Sequence, residues 1–414
     1  MEEETNPQTI RISAQCLCKT HTYIKDDFVI PHDSSEPIKA ITCHCDSCRH
    51  ITGALTGSRA ILWSDNEESD WMFDSSHNWG PRRYTISNHM TLLFCWKCSS
   101  PLFVVDTSSE ETQKIRYWVC SGVLGKEMTR LKVDWGTHVY VGNTKDGGGV
   151  NWFSGDSGGK KWLGKGGMSE EVKGYWPPLE AQKKKVEEEE VEEEVRLKCH
   201  CGGVNLVVKA GEAKREFEKQ ASEGKELPWF VDPRNHKSLG VFDGCDSCRL
   251  QSGVEIFNWT FFLLKHIGFA DGKEGFPLTT AELKAAVQEA ERDGPNEDEK
   301  FGTLAWYASS DDVQRYFCSR CAACVFYCVD DRPDIADVAV GLLDAKDGAR
   351  AESIISWEFG GKIGWREDMG MSWRENLLYM VEKEVEEWRE KRGYPKGWRR
   401  IVGEEKAAKE GKSE

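Results

Sequence analysis

Short apolar runs, most of them alternating with polar residues and bounded by Gly, Asn, Ser or charged residues, recur through the first third of the chain. Ile10-Arg11-Ile12-Ser13-Ala14-Gln15 alternates into Cys16-Leu17-Cys18, which predicts a strand ending in a tight turn. Ala60 to Trp63, Tyr84 to Ser87, Thr91 to Phe94, Leu102 to Val105, Tyr117 to Cys120 and His138 to Val141 add further short β-rich segments. A polar loop is expected over 64–78. A Gly-rich tract from 147 to 167, with Trp152 and Trp162, has no periodicity and predicts a loop that wraps the domain or stays disordered. Helical patterning comes later. Thr280 to Ala290 is rich in Ala, Leu and Glu and meets a stop at Gly294-Pro295. Trp373, Leu377, Val381, Val385 and Trp388 recur every three or four residues. Ser372 and Glu375 form an expected capping box, and Gly393 and Pro395 the stop, so an amphipathic helix should lie there, packed on the preceding domain.

The pattern occurs twice. Cys43-His44-Cys45-Asp46-Ser47-Cys48-Arg49 returns as Asp243-Gly244-Cys245-Asp246-Ser247-Cys248-Arg249, with the segment Cys-Asp-Ser-Cys-Arg unchanged. Cys16 maps to Cys199, Cys45 to Cys245 and Cys95 to Cys318, at offsets of 183, 200 and 223. The rising offset places insertions in the second repeat, one around Glu212 to Arg234 and one that includes the predicted helix at Thr280. The expected organisation is a first domain over 10–175, a charged linker over 176–194, a second domain over 195–370 and a helix and tail over 371–414. The acidic run from Glu187 to Glu194 repels itself and reads as a solvated spacer.

A length of 414 residues suits two cores. A net charge of -15 weighs against a nucleic-acid partner, because phosphate binding needs a basic face, and the patch from Lys396 to Arg400 reads as a solvated helix end. No membrane association is expected: the most apolar run, Trp259 to Phe269, is too short to span a bilayer, and the terminal helix carries many Glu residues that anionic lipid repels. The N-terminus lacks the basic start and apolar core of a signal peptide. The expected location is therefore the cytoplasm, with the nucleus as the alternative. In such a reducing compartment the 16 cysteines point to metal rather than disulfides.

Ligand counting carries the chemistry. The first repeat offers the pairs Cys16 and Cys18, Cys95 and Cys98, and the triplet Cys43, Cys45 and Cys48. Structural zinc takes four protein ligands, whereas catalytic zinc keeps three and leaves a position open. The two pairs can close one site and the triplet form another. The competing reading fills the triplet with His44, His50 or Cys120, so that it does no chemistry. An open zinc on three thiolates carries a net charge of about -1 and is a weak activator of water, but it suits a substrate thiol, held as the nucleophilic thiolate.

At these residues the chain resembles the glutathione-dependent formaldehyde-activating enzyme and centromere protein V family. Its pattern is Cys-x-Cys, Cys-His-Cys-x-x-Cys-Arg and Phe-Cys-x-x-Cys. The resemblance implies a mainly β fold of two tandem zinc-bound β-tent domains, built of coiled antiparallel sheets, with helical insertions in the second and a C-terminal amphipathic helix. It implies zinc as the cofactor. The structural sites would be Cys16, Cys18, Cys95 and Cys98, and Cys199, Cys201, Cys318 and Cys321. Cys43, Cys45 and Cys48 would hold the catalytic zinc of a carbon–sulfur lyase acting on a small-molecule thiol or thiol–aldehyde adduct of the S-hydroxymethylglutathione type. In the second repeat Asp243, Cys245 and Cys248 stand at the open site, where the carboxylate replaces the first thiolate, and a weakened site is expected. Cys324 and Cys328 are extra thiols there. Lys19-Thr20 and Ser99 stand where the family has glycines. A zinc scaffold that binds a protein partner, and a thiol or metal sensor, are the alternatives to an enzyme.

Overall fold

The computed structural model describes residues 8–30, 37–64, 80–107, 115–126, 132–153, 159–186, 191–292 and 300–409. Most of the polar loop expected over 64–78, the residues 187–190 of the acidic run and the Gly294-Pro295 stop lie outside them.

The chain is strand-rich with a substantial helical share, and the duplication is visible in its topology. The first repeat sets seven strands side by side in the order Val133–Val139, Ile38–Cys43, Ser58–Ser64, Arg116–Cys120, Pro101–Asp106, Met90–Phe94, Arg82–Ser87. The second repeats that order with Ile355–Trp357, Ser238–Asp243, Phe257–Leu263, Ile335–Ala339, Cys324–Val329, Val313–Cys318, Leu304–Ser310. Lys160–Trp162 and Glu171–Val172 extend the first sheet to nine strands. None of the sheets closes on itself. The expected all-antiparallel pairing is not found. In each repeat the strand that delivers the first site ligand, Ile38–Cys43 or Ser238–Asp243, is flanked on one side by a parallel neighbour. That neighbour enters from a distant part of the chain and needs no tight turn.

The second-repeat insertions are helical, as Ala210–Ser222 and Thr280–Arg292. The terminal helix runs Glu375–Arg392, burying Leu377, Val381, Val385 and Trp388 and ending on Gly393 at φ 79. The capping box does not form. Ser372 Oγ instead donates to the Met369 carbonyl and accepts the Arg374 N–H, and the helix starts without a side-chain cap. A second helix, Trp398–Lys409, occupies the stretch read as a helix end.

The repeats share one continuous core. The Gly-rich tract, expected as a wrap or a disordered loop, is partly neither: Trp152 is fully buried among second-repeat rings, 5.1 Å from Phe242, 5.2 Å from Trp357, 5.4 Å from Phe359 and 5.7 Å from Trp388 between centroids. Asp146 beside it accepts the Arg350 N–H at 2.6 Å. The terminal helix packs on both repeats rather than on the second alone, because Trp373 stacks on Trp135 and Arg374 donates to the carbonyls of Ser121 and Leu124.

Another contact between the repeats is reciprocal. Arg49 donates to the carbonyls of Gly341 and Leu343 at 3.0 and 2.7 Å, and Arg249 donates to those of Gly122 and Leu124. Gly341 N–H bonds the Gly53 carbonyl and Gly122 N–H the Gly253 carbonyl, both at 2.9 Å. A Cβ on Gly122 or Gly341 would sit within 2.4 Å of the opposing backbone, so only glycine allows this approach. The same patch of each repeat meets the other, as in a two-fold dimer.

Candidate metal centres

Each pair of knuckles brings four thiols together. In the first repeat Cys16 and Cys18 follow the strand Gln8–Gln15, and Cys95 and Cys98 follow Met90–Phe94; in the second, Cys199 and Cys201 follow Val195–Lys198, and Cys318 and Cys321 close the strand Val313–Cys318. All four sulfurs of each set lie within 4.8 Å of one another. Cys16 to Cys18 is 3.6 Å, and Cys18 to Cys95, Cys199 to Cys201 and Cys201 to Cys318 are each 3.5 Å. A tetrahedron of thiolates around zinc has edges of about 3.8 Å, so the donor set fits such an ion. Backbone N–H groups point at the sulfurs, from His21 to Cys16 and from Val204 to Cys199 at 3.2 Å each, which favours the thiolate form. The missing glycines do not open the turns: Lys19 and Ser99 both take φ 61, the left-handed conformation that glycine would have supplied.

The open clusters are built on one local plan. A strand ends on Cys43 or Asp243, the next turn places Cys45 or Cys245 as the N-cap of a seven-residue helix, and the third ligand, Cys48 or Cys248, sends its N–H to the N-cap sulfur at 3.3 or 3.2 Å. Gly53 and Gly253 close these helices at φ 77 and 76. In the first cluster Cys43 and Cys45 are 3.4 Å apart and all three thiols are partly buried. Side-chain hydrogen bonds from Cys43 and Cys48 draw Cys45 down to about 3. None of the candidates for a fourth ligand joins them. His44 faces His138, Nε2 to Nδ1 at 3.0 Å; His50 is buried, and burial lowers it to about 3; Cys120 is buried against Gly253. Among the described residues this cluster has three ligands.

The second cluster also has three, but Cys245 and Cys248 are buried, and Asp243 accepts the Cys245 N–H at 2.7 Å with Cys248 Sγ 3.5 Å from its other oxygen. Cys324 and Cys328 are packed in the core and do not join.

Two features had no signal in the sequence. Arg315, where the knuckle offset puts Leu92 in the first repeat, buries its guanidinium 3.7 Å from Cys248 Sγ. It is held by Gln251 at 3.1 Å, Ser247 at 2.7 Å and Ser309 at 2.9 Å, over the Tyr327 ring. The second feature is an aromatic residue beside each open cluster. His44 N–H bonds the Val139 carbonyl and Gly244 N–H that of Gly364. The residues that follow, Tyr140 and Trp365, are both left-handed, at φ 58 and φ 57, and 37% and 67% exposed. A bulky residue in that conformation costs roughly 1–2 kcal/mol. Tyr140 follows Val139, the register partner of Cys43, and so lies beside the first cluster; burial, and then the charges of Cys43, Cys45 and Cys48, push its hydroxyl up.

No described helix is long and apolar enough to cross a membrane. Nothing among curated proteins or solved structures matches the chain. The family model described as glutathione-dependent formaldehyde-activating enzyme matches residues 11–143 and does not detect the second repeat, although the cysteine clusters occur in both. That span holds the first closed cluster, the triplet and the aromatic residue beside it, so residues 11–143 are a domain of the glutathione-dependent formaldehyde-activating enzyme family.

Proposed function

We propose that the chain is a zinc-dependent carbon–sulfur lyase for thiol–aldehyde adducts of the S-hydroxymethylglutathione type, and that the first repeat carries the reaction. The observation that supports this most is the three-thiol cluster with no fourth ligand among the described residues, inside the span that matches the family. A zinc ion bound there would supply a position for the sulfur of the substrate and favour its thiolate form. The protein's own part is positional. Cys43, Cys45 and Cys48 define the open face, the His44 contact with His138 holds the turn between the first two ligands, and Tyr140 stands at its edge. Cleavage leaves the bonding pair on sulfur, forms the aldehyde carbonyl and releases the hydroxyl proton; synthesis is the reverse. By the same reading the two four-thiol clusters hold structural zinc.

Exchange spectroscopy of glutathione with formaldehyde, with and without the protein, tests the proposal, because the uncatalysed exchange is itself observable. Acceleration is expected, and its loss in Cys45→Ser at unchanged circular dichroism. A Cys45→Ser protein as fast as the parent would remove the triplet from the mechanism. No acceleration for any thiol–aldehyde pair would leave the zinc sites as a scaffold.

A further inference from the structure

The chemistry assigned to the first repeat leaves a cavity unused at the second. It has a volume of about 720 Å³, opens beside Asp243, and is of the size that holds a small organic molecule. One side is aromatic, from Trp229, Trp259, Phe261 and Trp365; Lys362 and Arg399 contribute cations. Its parts come from what the second repeat has added. Trp229 belongs to the insertion, Arg399 to the helix Trp398–Lys409, and Trp365 to the left-handed turn after the ligand strand's parallel neighbour.

The charges of the cavity are unequally engaged. Asp337 pairs with Arg332 at 3.0 Å and Glu404 with Arg400 at 2.8 Å and Lys396 at 3.1 Å, whereas Glu358 only accepts the Arg400 backbone N–H, at 3.1 Å on one oxygen, and its other oxygen is buried without a partner among the described residues. Arg400 is further occupied by Glu386. Lys362 and Arg399 form no ion pair among the described residues; Arg399 lies over the Trp229 ring at 5.5 Å and faces Glu358 at longer range. Trp365 is 67% exposed and Trp229 40%, the latter packed edge-on against Phe261 with Arg399 and Arg332 near its ring, so aromatic surface lies beside two cations that have no ion pair among the described residues. Flat apolar surface next to unspent positive charge recognises an aromatic ring that bears an anion.

We propose that the second repeat binds a small aromatic carboxylate in this cavity, with its rings on Trp229 and Trp365 and its carboxylate on Lys362 and Arg399. The site stands apart from the thiol chemistry of the first repeat and needs no metal.

Calorimetry and tryptophan fluorescence on the full-length protein test it, with 2-naphthoate and 2-naphthylmethylamine as probes. Naphthoate should bind saturably with quenching, and the amine at least about tenfold more weakly. Lys362→Glu should weaken naphthoate by about tenfold. Trp365→Gly should abolish binding; it relieves the left-handed backbone, and circular dichroism checks that the fold persists. Tyr140→Ala, in the first repeat, should leave naphthoate binding unchanged. No saturable binding at millimolar probe, equal affinity for the amine, survival of binding in Trp365→Gly, or loss in Tyr140→Ala would each overturn the proposal.

Discussion

The open clusters of the two repeats share a backbone and differ in charge. Strand end, N-cap sulfur, seven-residue helix and left-handed glycine recur. The side chains around them have diverged: a carboxylate replaces Cys43, and a buried guanidinium occupies the place of Leu92. A divalent ion on three thiolates leaves about -1, whereas the same ion on Asp243, Cys245 and Cys248 beside Arg315 comes to about zero. With such an ion bound, the first environment would make a bound sulfur more nucleophilic and easier to release. The second would hold an anionic donor more firmly, and its own cation competes with the metal for the ligands. Duplication has thus kept the scaffold and altered the electrostatics on it.

Four changes would break or sharpen that comparison. The largest effect should come from the closed clusters, in which the repeats are alike. Structural zinc in small modules contributes on the order of 10 kcal/mol, so Cys95→Ser and Cys318→Ser should each abolish cooperative folding. Because the core is continuous, both halves should be lost together in a circular dichroism melt, and strong chelation should do the same. A surviving half would show that the shared core is weaker than its burial implies.

Trp152→Ala comes next, at about 3–5 kcal/mol by urea denaturation. The residue belongs to the first repeat, yet the loss should appear in the packing of Trp357 and Trp388. A cost below about 1 kcal/mol would mean that the ring is replaceable there.

Arg49→Ala and Arg249→Ala probe the reciprocal contact. Arg49→Ala removes the side-chain donor of two buried carbonyls and should cost about 2 kcal/mol, whereas Arg249→Ala should cost about 1 kcal/mol less, because Arg374 still donates to Leu124. An Arg249→Ala cost equal to or above that of Arg49→Ala would show that Arg374 does not make up the lost bond at Leu124.

The smallest effect is expected from converting the second open cluster toward the first. Asp243→Cys with Arg315→Leu should raise its zinc affinity at least about tenfold, roughly 1.4 kcal/mol, read as metal content of the full-length protein after dialysis against a competitor. If the parent already retains four zinc ions through that dialysis, one per cluster, the second site is not weakened.

The parts legible in the sequence were those set by local spacing. Cys16-x-Cys18 and Cys95-x-x-Cys98 can meet one ion because each knuckle is a single turn, and the helix at Thr280 follows from composition within one stretch. What escaped depends on neighbours that arrive late in the chain. Arg315 reads as one charge on an alternating strand until the fold puts Cys248 beside it. Tyr140 follows a parallel strand, and Trp365 a parallel bridge of Gly364 to Asp243, that no hairpin signal announces. Arg49 is part of the family pattern, but its contact with Gly341 and Leu343 exists only because the repeats dock. The Ser372 cap did not form because its oxygen accepts the nearer Arg374 N–H while its hydroxyl donates to the Met369 carbonyl.

The burial of Trp152 also sets an order of events during synthesis. Its partners Trp357, Phe359 and Trp388 are encoded more than 200 residues downstream. At roughly 5–20 residues per second, the first half waits on the order of 10–50 s on the ribosome with this indole and its Gly-rich flank unpacked. The nascent chain therefore carries an exposed apolar segment that a chaperone could shelter, and a ribosome stalled within the second repeat would release a product with no means of covering it.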